Sequence, residues 1–78
     1  MIWNPPPSTL TPLILPATGT VNGTNAVFTF SKLPSAIVSD NATYQQTDSI
    51  GETVWSWNGG TLTATLTIPP QSDIFGLS

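Results

Sequence analysis

The clearest regularity along the chain is TLTATLTI at residues 61–68, where Leu62, Ala64, Leu66 and Ile68 alternate with Thr61, Thr63, Thr65 and Thr67. A period of two carried over this whole stretch puts the apolar side chains on one face of a strand and the hydroxyls on the other, and is incompatible with a helix. AVFTF at 26–30 repeats the pattern, with Ala26, Phe28 and Phe30 opposed to Val27 and Thr29. In TVWSW at 53–57 the indoles of Trp55 and Trp57 fall on one side. TGTV (18–21), AIVS (36–39), ATYQQ (42–46) and DIFGL (73–77) read as further short strands or strand-like tails.

Turn residues separate these runs. Asn22-Gly23-Thr24-Asn25 predicts a hairpin of 18–21 with 26–30, and Asp40-Asn41, which tolerates left-handed dihedrals, predicts one of 36–39 with 42–46. Asn58-Gly59 is the strongest short hairpin signal and predicts that 53–57 pairs with 61–68. Pro34 and Pro69-Pro70 end the runs before them. No segment carries the 3.6-residue apolar repeat of a long helix. The predicted fold is all-β: a small antiparallel β-sandwich or open barrel of six to seven short strands over residues 17–78.

Residues 1–16 have a different texture. MIWNPPPSTLTPLILP holds prolines at 5, 6, 7, 12 and 16 and no charged side chain. Proline removes backbone donors and drives the residue before it toward extended geometry, so this stretch cannot form a central sheet strand. It reads as an extended Pro-rich arm preceding the β-domain. Chain ends are by default disordered, and disordered tails are polar. This one carries Ile2, Trp3, Leu10, Leu13, Ile14 and Leu15. An apolar arm of that kind is expected to lie in an extended groove of another subunit, where polyproline geometry lowers the entropy lost on binding. The expected partner-binding residues are Ile2, Trp3, Pro5, Pro6, Pro7, Leu10, Leu13, Ile14 and Leu15, with Trp3 as anchor because Trp dominates interface hot spots.

Composition narrows the field. The chain has 78 residues, one domain at most, and a chain of this size hides only a modest core. It has no Cys and no His, so neither a disulfide nor a structural zinc site can reinforce it, and no cofactor is expected. Homo-oligomerisation, with a trimer as the favoured form, or docking on a larger partner is the remaining remedy. Charged residues make up 6% of the chain, against about a quarter in an ordinary soluble domain, so its polar surface is built from Thr, Ser, Asn and Gln. Lys32 is the one basic residue and the formal net charge is −3, which leaves nothing to neutralise a phosphate backbone or an anionic membrane. Neither nucleic acid nor membrane is an expected partner. Leu13-Ile14-Leu15 is too short for the apolar core of a secretory signal or a membrane span.

Catalysis requires an acid, a base, a nucleophile or a metal. The common nucleophile-base pairs are missing, and the carboxylates Asp40, Asp48, Glu52 and Asp73 fall in predicted turns or at a strand start, where they keep the chain soluble. A paired-carboxylate glycosidase would also need a walled cleft that so small a chain cannot build. The expectation is a non-enzyme. Tyr44, Trp55 and Trp57 offer an alternative chemistry: exposed on a strand, they would make a stacking platform for sugar rings, as in a carbohydrate-binding module contacting a host cell surface. The competing expectation is that at least one of the two indoles fills the core, where large side chains are scarce. Asn22-Gly23-Thr24 and Asn41-Ala42-Thr43 match the glycosylation sequon, a match expected by chance in a chain so rich in Asn and Thr.

Taken together, GTVNGTNAVFTFSKLPSAIVSDNATYQQ and VWSWNGGTLTATLTIPPQSDIFG resemble the small β-rich virion structural proteins of tailed bacteriophages. The motifs that carry the resemblance are Val21-Asn22-Gly23 with Asn25 and Phe28-Thr29-Phe30, then Ile37-Val38 with Asp40, the Trp-containing strand, the Thr/Leu strand, and Pro69-Pro70 with Asp73-Ile74-Phe75-Gly76. They span residues 19–76. The resemblance implies a non-enzymatic component of a virion assembled in the host cytoplasm: a capsid decoration or cement protein, or a head or tail fibre attachment. Its expected partner is a larger virion protein of capsid, neck or tail, reached through the arm. A nearly uncharged, Thr-rich surface suits tight lateral packing, since few charges need be desolvated.

Overall fold

A computed structural model describes residues 13–78 of the chain. Among them seven short strands form two antiparallel sheets. The strands are β1 (Ile14–Pro16), β2 (Val27–Thr29), β3 (Ala36–Ser39), β4 (Ala42–Tyr44), β5 (Trp55–Asn58), β6 (Thr63–Leu66) and β7 (Ile74–Leu77). One sheet has the order β1-β7-β3-β4 and the other β2-β6-β5, and neither closes into a barrel. The all-β sandwich architecture therefore stands.

The core lies between the sheets and draws on both. Leu15, Phe28, Phe30, Ile37, Trp55, Ala64 and Leu66 form one buried cluster, with Ala17, Tyr44, Val54, Trp57 and Ile74 packed against it. Alternation sets which side of each strand contributes. Ala64 and Leu66 of β6 point inward, as the Thr/Leu pattern predicts, whereas Leu62 and Ile68 lie beyond the strand ends and are exposed. Gly76 stands between Leu15 and Ile37 in the register of the four-stranded sheet. Only glycine fits there, because a Cβ would come within 2.7 Å of Pro34 Cβ and 3.2 Å of the Phe30 ring.

The β3–β4 hairpin forms as the sequence predicts, with Ser39 opposite Ala42 and both Asp40 (φ 52°) and Asn41 (φ 64°) left-handed, as a two-residue primed turn requires. The other two hairpins differ from expectation. β5 and β6 do pair, but Asn58 is itself the last paired residue, opposite Thr63, and the connection is a four-residue loop at 59–62. Asn58 Oδ1 accepts the Gly60 N–H at 2.9 Å, and Leu62 takes a left-handed φ of 56° so that its carbonyl can accept the Phe30 N–H. Residues 18–21 do not form a regular strand with 26–30; a single bridge joins Thr18 and Thr29, and β2 instead pairs with β6. Asn22 and Asn25 explain why. Asn22 Oδ1 accepts the N–H groups of Thr24 and Asn25, and Asn25 Nδ2 donates to the carbonyls of Thr20 and Val27, so side chains satisfy a wide loop that a ladder would otherwise close.

The boundary at residue 16 also shifts. Ile14–Pro16 is β1, hydrogen-bonded along β7, and Leu15 is only 4% exposed within the core. A Pro-containing segment is admissible here because β1 is an edge strand, where a missing N–H breaks no second ladder.

Candidate interaction surface

Strand alternation and register assign the outward faces. In the four-stranded sheet Leu15, Gly76, Ile37 and Tyr44 share the inward row, so the residues on either side of each point outward. One outward row reads Ile14, Leu77, Ala36; the next reads Pro16, Phe75, Val38, Thr43. Both rows are uncharged, and Thr43 is the only hydroxyl in them. Ile14 is 57% exposed and Pro16 is exposed, Val38, Phe75 and Leu77 are half-buried, and Ala36, though on the outward side of β3, is buried.

In the three-stranded sheet the outward rows are Val27, Thr65, Ser56 and Thr29, Thr63, Asn58. Five of these six side chains carry a hydroxyl or an amide and are content in water. This is the face the Thr/Leu periodicity foretells.

Three carboxylates, Asp40, Asp48 and Asp73, accept hydrogen bonds from backbone N–H groups. Asp48 Oδ1 accepts the N–H groups of Ile50 (3.0 Å) and Glu52 (2.9 Å), shaping the loop between β4 and β5. Asp40, at the tip of the β3–β4 turn, accepts the N–H groups of Gln71 (3.0 Å) and Ser72 (2.7 Å) and the Ser72 hydroxyl, while its own N–H donates to the Asp73 carboxylate. The Ser72 hydroxyl and then the Gln71 N–H hold the Asp40 carboxyl below its ordinary pKa of 3.8. Asp40 thus ties the β3–β4 turn to the segment leading into β7. Among the described residues there is no grouping of side chains that could hold a metal ion, and no pocket.

Of the expected partner-binding residues, Ile2, Trp3, Pro5, Pro6, Pro7 and Leu10 lie outside the described residues. Leu13, just before β1, and Ile14, its first residue, are exposed, at 61% and 57%. Leu15 is not, because it points into the sandwich. The three aromatic residues of the sugar-platform alternative are not gathered on an exposed face. Trp55 is fully buried and its Nε1–H donates to the Tyr44 carbonyl at 2.9 Å, linking the two sheets. Tyr44 and Trp57 are half-buried against the core, with the Trp57 ring tilted on Phe30 at a centroid separation of 6.5 Å.

Sequence reasoning missed the outward apolar rows. Phe75 and Leu77 fall in DIFGL, which reads as a short strand or tail, but their partners in the rows, Ile14, Pro16, Ala36 and Val38, come from two distant segments that only the register of β1 and β3 on β7 brings together. No protein-family model, curated protein or solved structure matches this chain.

Proposed function

We propose that this protein is a non-enzymatic structural component of a bacteriophage virion, an accessory subunit that docks on a larger virion protein through its N-terminal segment. One observation carries the docking reading. The outer face of the four-stranded sheet is apolar and uncharged, and it is bordered by β1, the strand from which residues 1–12 depart. The proposed contact combines this face with residues 1–12, which precede β1 in the sequence.

Magnitudes support the combination. Four strands at about 4.8 Å spacing and strands of up to four residues give a face of roughly 14 by 14 Å. That footprint, about 200 Å², is far below the roughly 800 Å² per partner of a stable interface. Twelve further residues that include Ile2, Trp3 and Leu10 supply apolar area of the missing kind. The virion assignment itself rests on the resemblance of residues 19–76 to small phage structural proteins and on a surface nearly free of charge.

The test is incorporation of the full-length protein into purified particles of the phage that encodes it. Trp3→Ala and Ile14→Glu are expected to reduce incorporation at least about tenfold, since removing one well-buried apolar anchor costs about 1.5–3 kcal/mol. Val27→Glu, at a similarly exposed site on the opposite sheet, is expected to leave incorporation unchanged. Absence of the wild-type protein from the particles overturns the virion reading; equal incorporation of all three variants overturns the docking surface.

A further inference from the structure

Two Asn-Gly pairs occur in the chain, Asn22-Gly23 and Asn58-Gly59, and the fold treats them differently. In both, the asparagine side-chain carbonyl is held by two backbone donors. Asn22 Oδ1 accepts from Thr24 N (2.9 Å) and Asn25 N (2.8 Å), and Asn58 Oδ1 accepts from Gly60 N (2.9 Å) and Thr61 N (3.4 Å). Two N–H groups on one carbonyl oxygen polarise its carbon and are placed to stabilise negative charge on that oxygen should the carbon become tetrahedral. Both sites thus offer the electrophile at least one short donor, with the second donor closer at Asn22 than at Asn58.

The nucleophile separates the two sites. A following glycine leaves its backbone nitrogen unshielded by any Cβ. Gly23 N–H, however, is committed to the Pro70 carbonyl at 3.0 Å, and Gly23 is fixed at a φ of 78°. Gly59 N–H makes no hydrogen bond among the described residues and sits at the exposed start of the β5–β6 loop. From this contrast we infer that Asn58 is a site of spontaneous covalent modification, closing on Gly59 to a succinimide, and that Asn22 is protected.

The chemistry needs only solvent. The Gly59 nitrogen forms a bond to Asn58 Cγ, the Cγ–Nδ2 bond breaks, and ammonia leaves with the proton from Gly59 N–H. Water then opens the five-membered ring at one of its two carbonyls. One opening yields aspartate; the other yields isoaspartate, in which the chain runs through the former side chain. Either product makes the formal charge of −3 one unit more negative. The new charge appears on the hydroxyl- and amide-rich outer face of the three-stranded sheet, opposite Thr63. The isoaspartate form also lengthens the backbone at the last pair of the β5–β6 ladder. This inference is independent of the virion reading.

The experiment follows deamidation of the folded full-length protein at mildly alkaline pH by peptide-level mass spectrometry, with isoaspartate distinguished by fragmentation. Conversion at Asn58 is expected to run about tenfold faster than at Asn22, since the latter must first lose a hydrogen bond of ordinary strength. In denaturant the two sites are expected to converge. Gly59→Ala is expected to suppress conversion at 58, and the fold can accept it: φ at 59 is not left-handed, and the nearest contact of the new Cβ is Trp57 Nε1 at 3.7 Å. Asn22→Ser is expected to leave the rate at 58 unchanged. Equal rates in the folded protein, a faster Asn22, or no conversion at Asn58 over a period in which the denatured chain reacts would each overturn the inference.

Discussion

On the three-stranded sheet the outward rows read Val27, Thr65, Ser56 and Thr29, Thr63, Asn58; on the four-stranded sheet they read Ile14, Leu77, Ala36 and Pro16, Phe75, Val38, Thr43. Both sheets give their inner faces to the same core, and the outer rows of the four-stranded sheet are themselves partly covered, with Ala36 buried and Val38, Phe75 and Leu77 half-buried. A sheet face meant for water is polar, and an antiparallel sheet with one solvated face shows clean alternation, as β6 does. β3 breaks that rule: Ala36, Ile37 and Val38 are apolar on both sides. Strands apolar on both faces belong to sheets covered on both faces. The two sheets thus differ in the chemistry of their outer faces: the rows of the four-stranded sheet are mostly apolar and those of the three-stranded sheet mostly polar.

Loss of the shared core should be the largest effect. Trp55→Ala removes a fully buried indole and strands the Tyr44 carbonyl, at a cost of about 3–5 kcal/mol, comparable with the whole stability of a domain this size. Denaturant titration should show the variant largely unfolded without denaturant. Such a result says that the two outer faces are presented by one cooperative unit; retention of either sheet alone would break the comparison at its base.

Gly76→Ala should be next. The added methyl meets Pro34 and Phe30, and overpacking of this kind costs about 1–3 kcal/mol. The same titration checks it. Because β7 is the strand that collects both apolar rows, partial loss of its seat should raise binding of a hydrophobic dye before global unfolding.

Exchanging chemistry between the faces should have small effects on stability and opposite effects on stickiness. Phe75→Thr is expected to lower dye binding by the folded full-length protein, and Thr65→Val to raise it, each with the melting temperature close to that of the wild type. Dye binding insensitive to Phe75→Thr would mean that the apolar rows are not presented to solvent.

The smallest effect concerns Asp40, on which the approach to β7 depends. Its carboxyl is depressed in the folded protein, so the stability it contributes is fully present above the ordinary carboxylate pKa of 3.8 and is lost as pH falls through the lower folded value. Asp40→Asn should therefore flatten the acid end of a stability–pH profile and leave the profile's shape above about pH 5 unchanged. An acid limb of unaltered steepness would remove Asp40 from this role.

The alternation of Thr61–Ile68 made β6 and its buried Ala64 and Leu66 readable directly, and Asp40-Asn41 made the β3–β4 turn readable, because both depend on near neighbours in sequence. The placement of β7 is of another kind. DIFGL reads as a final strand or tail, yet it lies between β1 and β3, pairing with segments far from it along the chain. Leu15 was hidden for the same reason, since the prolines around it mark an extended arm but not the strand against which its edge is laid. Asn58-Gly59 signalled the correct pairing of β5 with β6 but the wrong loop length, because the Asn58 side chain caps a longer turn at Gly60 and Thr61. The apolar outer face is the product of these non-local pairings, and no single stretch of sequence displays it.

The chain contains no cysteine, so one introduced thiol reports on one position. Ile14→Cys and Val27→Cys place it at comparably exposed sites on the two outer faces, 57% and 46% in the parent residues. The measurement is the rate of thiol alkylation in the free subunit and in the assembled particle. The account predicts that both react in the free subunit and that assembly protects position 14 while leaving position 27 reactive. Protection of 27 with 14 still reactive, or equal reactivity of both in the particle, would contradict it.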